Sequence, residues 1–244
     1  MTKEIIFTSP LEGILDSPQP SLLNIPDAYK NLSKRMDEVQ GRLPRHTVKS
    51  CIPFLDALTV GYIISFPVDI CFTVKEEKND KGEISHIVDW LMHPDLPQEY
   101  KKYISINTHD GIQMPSELRS KHRTLDVIFK IINPWHIKTP PGYSCIFTTP
   151  FNRNLPFEII DGIVDTDDFP QNINFPCFWT ETPLIGETII QKGTPLALVI
   201  PFKREEWKMR TVNGEVNSPK SFLKWASVFM DNYKKLVWKK KSYK

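Results

Sequence analysis

Glycine is scarce in this chain of 244 residues, with Gly 10 against Pro 21. No G-x-G-x-x-G, P-loop or G-x-S-x-G is present, so the common dinucleotide, phosphate and serine-nucleophile motifs are excluded. The four cysteines, Cys51, Cys71, Cys145 and Cys177, form no C-x-x-C pair. That spacing excludes a zinc ribbon and a thioredoxin-like motif and predicts reduced thiols packed as small hydrophobes. Long apolar runs are missing too. The longest, Leu55 to Val74, is broken by Asp56, Pro67 and Asp69, so no membrane span is expected. The first ten residues have no apolar h-region and carry Glu4, so no secretory signal is expected either. No disulfide, structural metal or cofactor is predicted.

What is present describes a globular chain. Hydrophobic residues make up 40% and charged residues 25%, enough to build a core without a covalent or metal staple. The formal net charge of +2 hides an asymmetry. Residues 234–244 carry Lys234, Lys235, Lys239, Lys240, Lys241 and Lys244 and no acid, which leaves the rest of the chain mildly acidic. An acidic body disfavours nucleic-acid binding beyond that short cationic handle.

Proline at this density favours short strands joined by turns. Residues 1–26, with Pro10, Pro18, Pro20 and Pro26, read as an extended arm that needs another surface to hold it. Asp27 to Gly41 reads as a short helix capped by Asp27. Cys51 to Val74 reads as two buried strands punctuated by Gly61 and Pro67, and Ile84 to Trp90 as another. From Leu125 the strand pattern is dense: 125–132, 143–148, 157–164, 173–179, 187–190 and 196–202 alternate with Pro- or Gly-bearing turns. Such spacing predicts a mainly β chain, an antiparallel barrel or sandwich rather than βαβ units. The predicted organisation is an arm over 1–26, one β-rich domain over 27–213 that is densest at 125–203, and a basic helical tail over 214–244. In the tail, Ser218-Pro219 starts a helix whose Phe222, Trp225, Phe229 and Tyr233 share one apolar face. Asp231 and Asn232 dilute its basic face, which favours docking on its own or a neighbouring subunit over lying on a membrane.

Two constellations offer chemistry. His93-Pro94-Asp95 fits the H-x-D half of a non-haem iron triad, with His122 or His136 as the distal ligand. Pro94 and Pro97 place that motif in a loop, and six histidines in a strand-rich chain produce such matches freely; His136 reads more simply as a hydrogen-bonding turn residue. The second constellation is Gly162-Ile-Val-Asp-Thr-Asp-Asp-Phe169, an apolar strand running into an acidic hairpin. Solvated turn chemistry accounts for its aspartates.

With the Pro141-Gly142 entry into Tyr143–Phe147 and the Lys192-Gly193 turn before 195–200, that hairpin resembles the dUTPase and dCTP-deaminase family. The resemblance implies a β-clip fold, a threefold homo-oligomer and Asp165 as the catalytic aspartate that activates water. Tyr143, Arg153, Asp167 and Phe169 would then contact the ligand. Thr149-Pro-Phe-Asn-Arg153 stands where that family holds phosphates with Arg-Ser-Ser, and Asp168 stands in place of its tyrosine. A broader resemblance rests on five strings: 51–64, Asn133-Pro-Trp-His-Ile-Lys-Thr-Pro-Pro-Gly-Tyr-Ser144, Gly162–Asp167, Ile173–Pro176 and Val199–Trp207. Together they look like a family of tailed-bacteriophage proteins. That resemblance implies a viral protein made in host bacterial cytoplasm, with the virion as a further location, and no particular activity.

Two function classes follow. One is a non-enzymatic virion or assembly protein that works through contacts with its own copies and other phage proteins. The other is a dUTPase-like nucleotide-binding or nucleotide-hydrolysing protein using Asp165; the iron oxygenase is a third.

Overall fold

A computed structural model of the chain describes residues 3–36, 45–78, 81–82, 84–92, 97–109, 113–114, 128–180, 186–214 and 233–244. The chain divides into two compact units, one holding Met1–Gln19 and Gly61–Lys203, the other Pro20–Val60 and Arg204–Lys244.

The first unit is built from β1 (Ile6–Thr8), β5 (Tyr62–Ser65), β6 (Ile70–Lys78), β7 (Ile84–Met92), β8 (Ile106–His109) and β9 (Ile128–Ile131), then β10 (His136–Lys138), β11 (Tyr143–Thr148), β12 (Phe157–Ile159), β13 (Gly162–Val164), β14 (Phe175–Trp179), β15 (Gly186–Ile190) and β16 (Pro195–Lys203). The two-residue β2 (Gln19–Pro20) carries the chain out of it, and the second unit adds β3 (Arg35–Met36) and β4 (Arg45–His46). One sheet runs β13-β11-β16-β5, a second β12-β14-β9-β8 and a third β15-β6-β7. Their ladders are antiparallel. The chain is mainly β, as the dense run of strand patterns predicts. The barrel alternative fails: among the described residues no sheet closes on itself. The sheets meet through side chains rather than through a continuous hydrogen-bonded ladder.

Those side chains are aromatic. Phe72 of β6 stands edge-on to Trp179 of β14 at 4.9 Å, and Phe129 of β9 lies 5.0 Å from Phe72 and 5.2 Å from Trp179. Phe157 of β12 extends the group to Phe66 at 5.3 Å. Phe147 of β11 reaches Phe175 of β14 at 6.0 Å, which joins the first sheet to the second. All seven are buried. Offset and edge-to-face pairs at these separations add to the area term, so shape as well as burial fixes how the sheets face.

Residues 3–19 of the proline-rich arm find their surface within the first unit. β1 pairs with β10, and Leu11 and Leu15 enter the core. The expected strand over 157–164 is two strands, β12 and β13, on different sheets. His136 lies on a strand rather than in a turn.

Two expectations about the second unit need correction. Of the stretch read as two buried strands, Ile52–Thr59 is an α-helix, α2. Pro53 sits in its first turn, where a missing N–H costs nothing, and Ile52, Leu55 and Leu58 recur at helical spacing. The remainder forms β5 and the start of β6. The expected helix over 27–41 stops early: α1 is Asp27–Asn31. Pro26, not Asp27, is its cap, and Lys49 donates to the Tyr29 and Lys30 carbonyls at 2.8 and 2.9 Å, the acceptors that a further turn would need. At the other end of the unit, Tyr233–Val237 form a π turn. Trp238 donates its indole N–H to both Asp56 carboxylate oxygens on α2, at 3.1 and 3.0 Å, and the Lys241 ammonium donates to the same group. That bond to Asp56 raises the Lys241 pKa above its ordinary value. Phe222, Trp225 and Phe229 lie outside the described residues; Tyr233 is half-buried. No helix among the described residues is long and apolar enough to cross a membrane.

Gly61 is the tightest point of the first unit. It takes φ +68, and a Cβ there would stand 2.2 Å from the Val199 carbonyl oxygen of β16. Gly61→Ala should lose about 1–3 kcal/mol from backbone strain alone, with the clash added, so its denaturant midpoint should fall; an unchanged midpoint would contradict the β5–β16 register. The thiols give a second check. Burial raises the Cys145 pKa to about 11 and Cys177 well above its ordinary value, whereas Cys51 and Cys71 are half-buried. A thiol reagent at pH 8 should therefore modify Cys51 and Cys71 in the native protein and reach Cys145 and Cys177 only on unfolding. Rapid reaction of all four would refute this core.

Candidate functional site

The acidic hairpin after β13 is clasped to the turn before β11. Pro140-Pro141-Gly142 makes that turn, and Gly142 takes φ 83, a conformation that suits glycine. The Gly142 N–H donates to Asp167 Oδ2 at 2.7 Å, and the Ser144 hydroxyl donates to Asp165 Oδ1 at 2.6 Å. Between them the buried hydroxyls of Thr139 and Thr166 meet at 2.7 Å. The Thr139 hydroxyl donates to the Tyr143 carbonyl, so the Thr166 hydroxyl supplies the proton between the two threonines, and the Cys145 sulfur lies 3.3 Å from the Thr166 oxygen. Two long side chains of β10 close the other side: Lys138 donates to the Asp167 carbonyl, and His136 Nε2 lies 3.3 Å from the Phe169 carbonyl.

The hairpin's own backbone explains why aspartates stand here. Asp165 accepts at its carbonyl from the amides of Asp168 and Phe169, and Thr166 donates back to Val164. Aspartate tolerates such tight local geometry and offers a carboxylate to nearby N–H and O–H groups.

Of the residues singled out from sequence, the structure brings Tyr143, Asp165 and Asp167 to one turn, with Phe169 at the hairpin's end. Asp165 and Phe169 are exposed, and Asp167 and Tyr143 are half-buried. Lys3 Nζ sits 4.3 Å over the Tyr143 ring. Arg153 lies apart, in the loop from β11 to β12 after Asn152, which takes φ 55, and no described contact ties it to the clasp. Burial pushes its guanidinium pKa down. His93, Asp95 and His122 lie outside the described residues. Among the described residues no three His, Cys, Asp or Glu side chains converge on a possible metal position.

The sequence did not mark Ser144, Thr139, Thr166 or Lys138. Their signal is compositional only: Ser144 is a hydroxyl inside the apolar strand β11, and Thr139 and Thr166 follow β10 and β13 as hydroxyls that must find partners once buried. Chemically, the arrangement ties two turns together through a run of side-chain hydrogen bonds, with one carboxylate near solvent. No protein family, characterised protein or solved structure compared with the chain matches it, so function must be argued from its own residues.

Removing the charge of Asp165 separates the two function classes. Asp165→Asn should cost about 0.5–2 kcal/mol through the Ser144 bond, read by chemical denaturation. Neither wild type nor variant should release pyrophosphate from dUTP or dCTP with magnesium. Pyrophosphate release by wild type that Asp165→Asn abolishes would instead make Asp165 a general base, whose loss commonly costs about 10²–10⁴ in rate.

Proposed function

We propose that this chain is a bacteriophage-encoded, non-enzymatic protein, a virion or assembly component that acts through contacts with its own copies and with other phage proteins. The observation that carries the reading is the segment 204–214. It has no regular secondary structure, every residue in it is exposed, and Trp207 and Met209 stand 86% and 89% accessible. An exposed tryptophan beside an exposed methionine on an extended strap is costly in water and suits an interface, where aromatic anchors supply most of the binding energy. Such straps gain their order when docked on a neighbour.

A second copy is the proposed occupant, and a trimer the proposed state, in keeping with the β-clip reading of β11 between β13 and β16. The dUTPase-like alternative draws on one observation, the exposed Asp165 carboxylate beside the Tyr143 turn. Against it stands the position of Arg153, the only arginine near where that family grips phosphate, which has no described contact with the clasp.

Light scattering on the full chain should give a trimer's mass. Trp207→Ala with Met209→Ala should shift it toward the monomer while the thermal melt of the β core stays in place. A wild-type monomer, or a variant of unchanged mass, would defeat the assembly reading. Mass spectrometry of purified phage particles should find the chain among packaged proteins.

A further inference from the structure

A cleft of about 590 Å³ opens in the second unit, inside the ~300–1,000 Å³ range of small-molecule sites. Six basic side chains line it: Lys30, Lys34, Arg35, His46, Lys49 and Lys234. Among the described residues no carboxylate lines it. Lys30 is bonded to Asp27 at 3.0 Å outside the cleft, and Lys49 is held by two backbone carbonyls and lies 4.6 Å over the Tyr29 ring. Lys34, Arg35 and Lys234 are exposed and have no described acidic partner. Gathered cations repel one another and raise the local concentration of anions.

The rest of the lining is largely apolar: Ile25, Ile52 and Leu55 belong to it with the buried Tyr29, whose ring stacks on Phe54 at 5.7 Å with an interplanar angle of 19°. A bare inorganic anion has no use for such a lining, whereas a ligand with one planar, weakly polar end and one multiply charged end matches both kinds of residue. We propose that this cleft binds a phosphate-bearing ligand of nucleotide size. Lys34, Arg35 and Lys234 take the phosphates, with Arg35 offering the planar fork that suits phosphate oxygens. Ile25, Ile52 and Leu55 take the planar end.

The cationic side chains come from distant parts of the sequence, yet both segments are positioned. Lys49 ties the end of α1 to the segment before α2, and the bonds from Trp238 and Lys241 to Asp56 hold the last residues on α2. Lys234 is thereby presented from a fixed π turn. A polymer of nucleic acid needs a track of phosphate contacts along its length, and a concave space of single-nucleotide volume favours a free nucleotide over a strand.

Calorimetry of the full-length protein with ATP, in magnesium-free buffer, tests this site. ATP should bind saturably and more tightly than inorganic tripolyphosphate, because only ATP uses the apolar lining. Arg35→Glu with Lys234→Glu should weaken ATP by about tenfold or more. Lys34→Gln, a milder change, should weaken it less. Lys208→Glu, which alters an exposed charge outside the cleft, should leave it unchanged. The proposal is overturned by no saturable binding or by tripolyphosphate matching ATP. It is overturned equally by weakening with Lys208→Glu as great as with the cleft variants, or by a single-stranded oligonucleotide that binds more tightly than ATP with a salt dependence spanning several phosphates.

Discussion

The packing of Phe72, Phe129 and Trp179 is the contact on which the first unit depends. Each ring belongs to a different strand, and Phe72 belongs to a different sheet from the other two. Hydrogen bonds define each sheet internally but do not hold one sheet against another. Burial and ring geometry do that, at a few kcal/mol per large side chain. One cost is visible at the centre: the buried Trp179 indole N–H has no hydrogen-bond partner among the described residues. An unmet buried donor opposes folding by about 1–3 kcal/mol, so the packing gain of this ring must exceed it. The fold thus accepts an imperfect polar fit in exchange for a large flat surface.

Strand existence was legible in the sequence wherever β-branched and aromatic residues ran between Pro or Gly turns, as at 143–148, 173–179 and 196–202. Boundaries and sheet membership were not. The run 157–164 looks continuous, yet Ile160 and Asp161 interrupt it and its halves join different sheets. Ile52–Thr59 reads as strand in the sequence because Ile, Phe and Leu favour a buried strand and a buried helix face about equally over eight residues. The turn of Pro53 into the helix start, visible in the sequence, was the better signal. The early end of α1 could not be read locally, since Lys49 takes its carbonyls from nineteen and twenty residues away.

The acidic hairpin shows a different limit. Asp165, Asp167 and Tyr143 do gather, as their order along the chain suggests, but order does not reveal what the carboxylates face. Asp167 faces a backbone amide and Asp165 a serine hydroxyl, while Thr139 and Thr166 close the space between. Polar groups matched this closely fix the relative position of two turns. Arg153, placed beyond described contact with them, separates the one arginine of the neighbourhood from both acids.

Charge in the second unit follows from where its acids are spent. Read as a string, the final lysines are a solvated tail. In three dimensions Asp56 of α2 accepts from both Trp238 and Lys241, with only 20% of its side chain accessible, and it does not line the neighbouring cleft. Asp27 is likewise turned to Lys30. Asp56 is thus committed to anchoring the terminus, while Asp27 compensates Lys30 alone among the cleft's cations. Among the described residues Lys34, Arg35 and Lys234 have no acidic partner, and the bond that anchors the terminus also sets where Lys234 stands in the cleft.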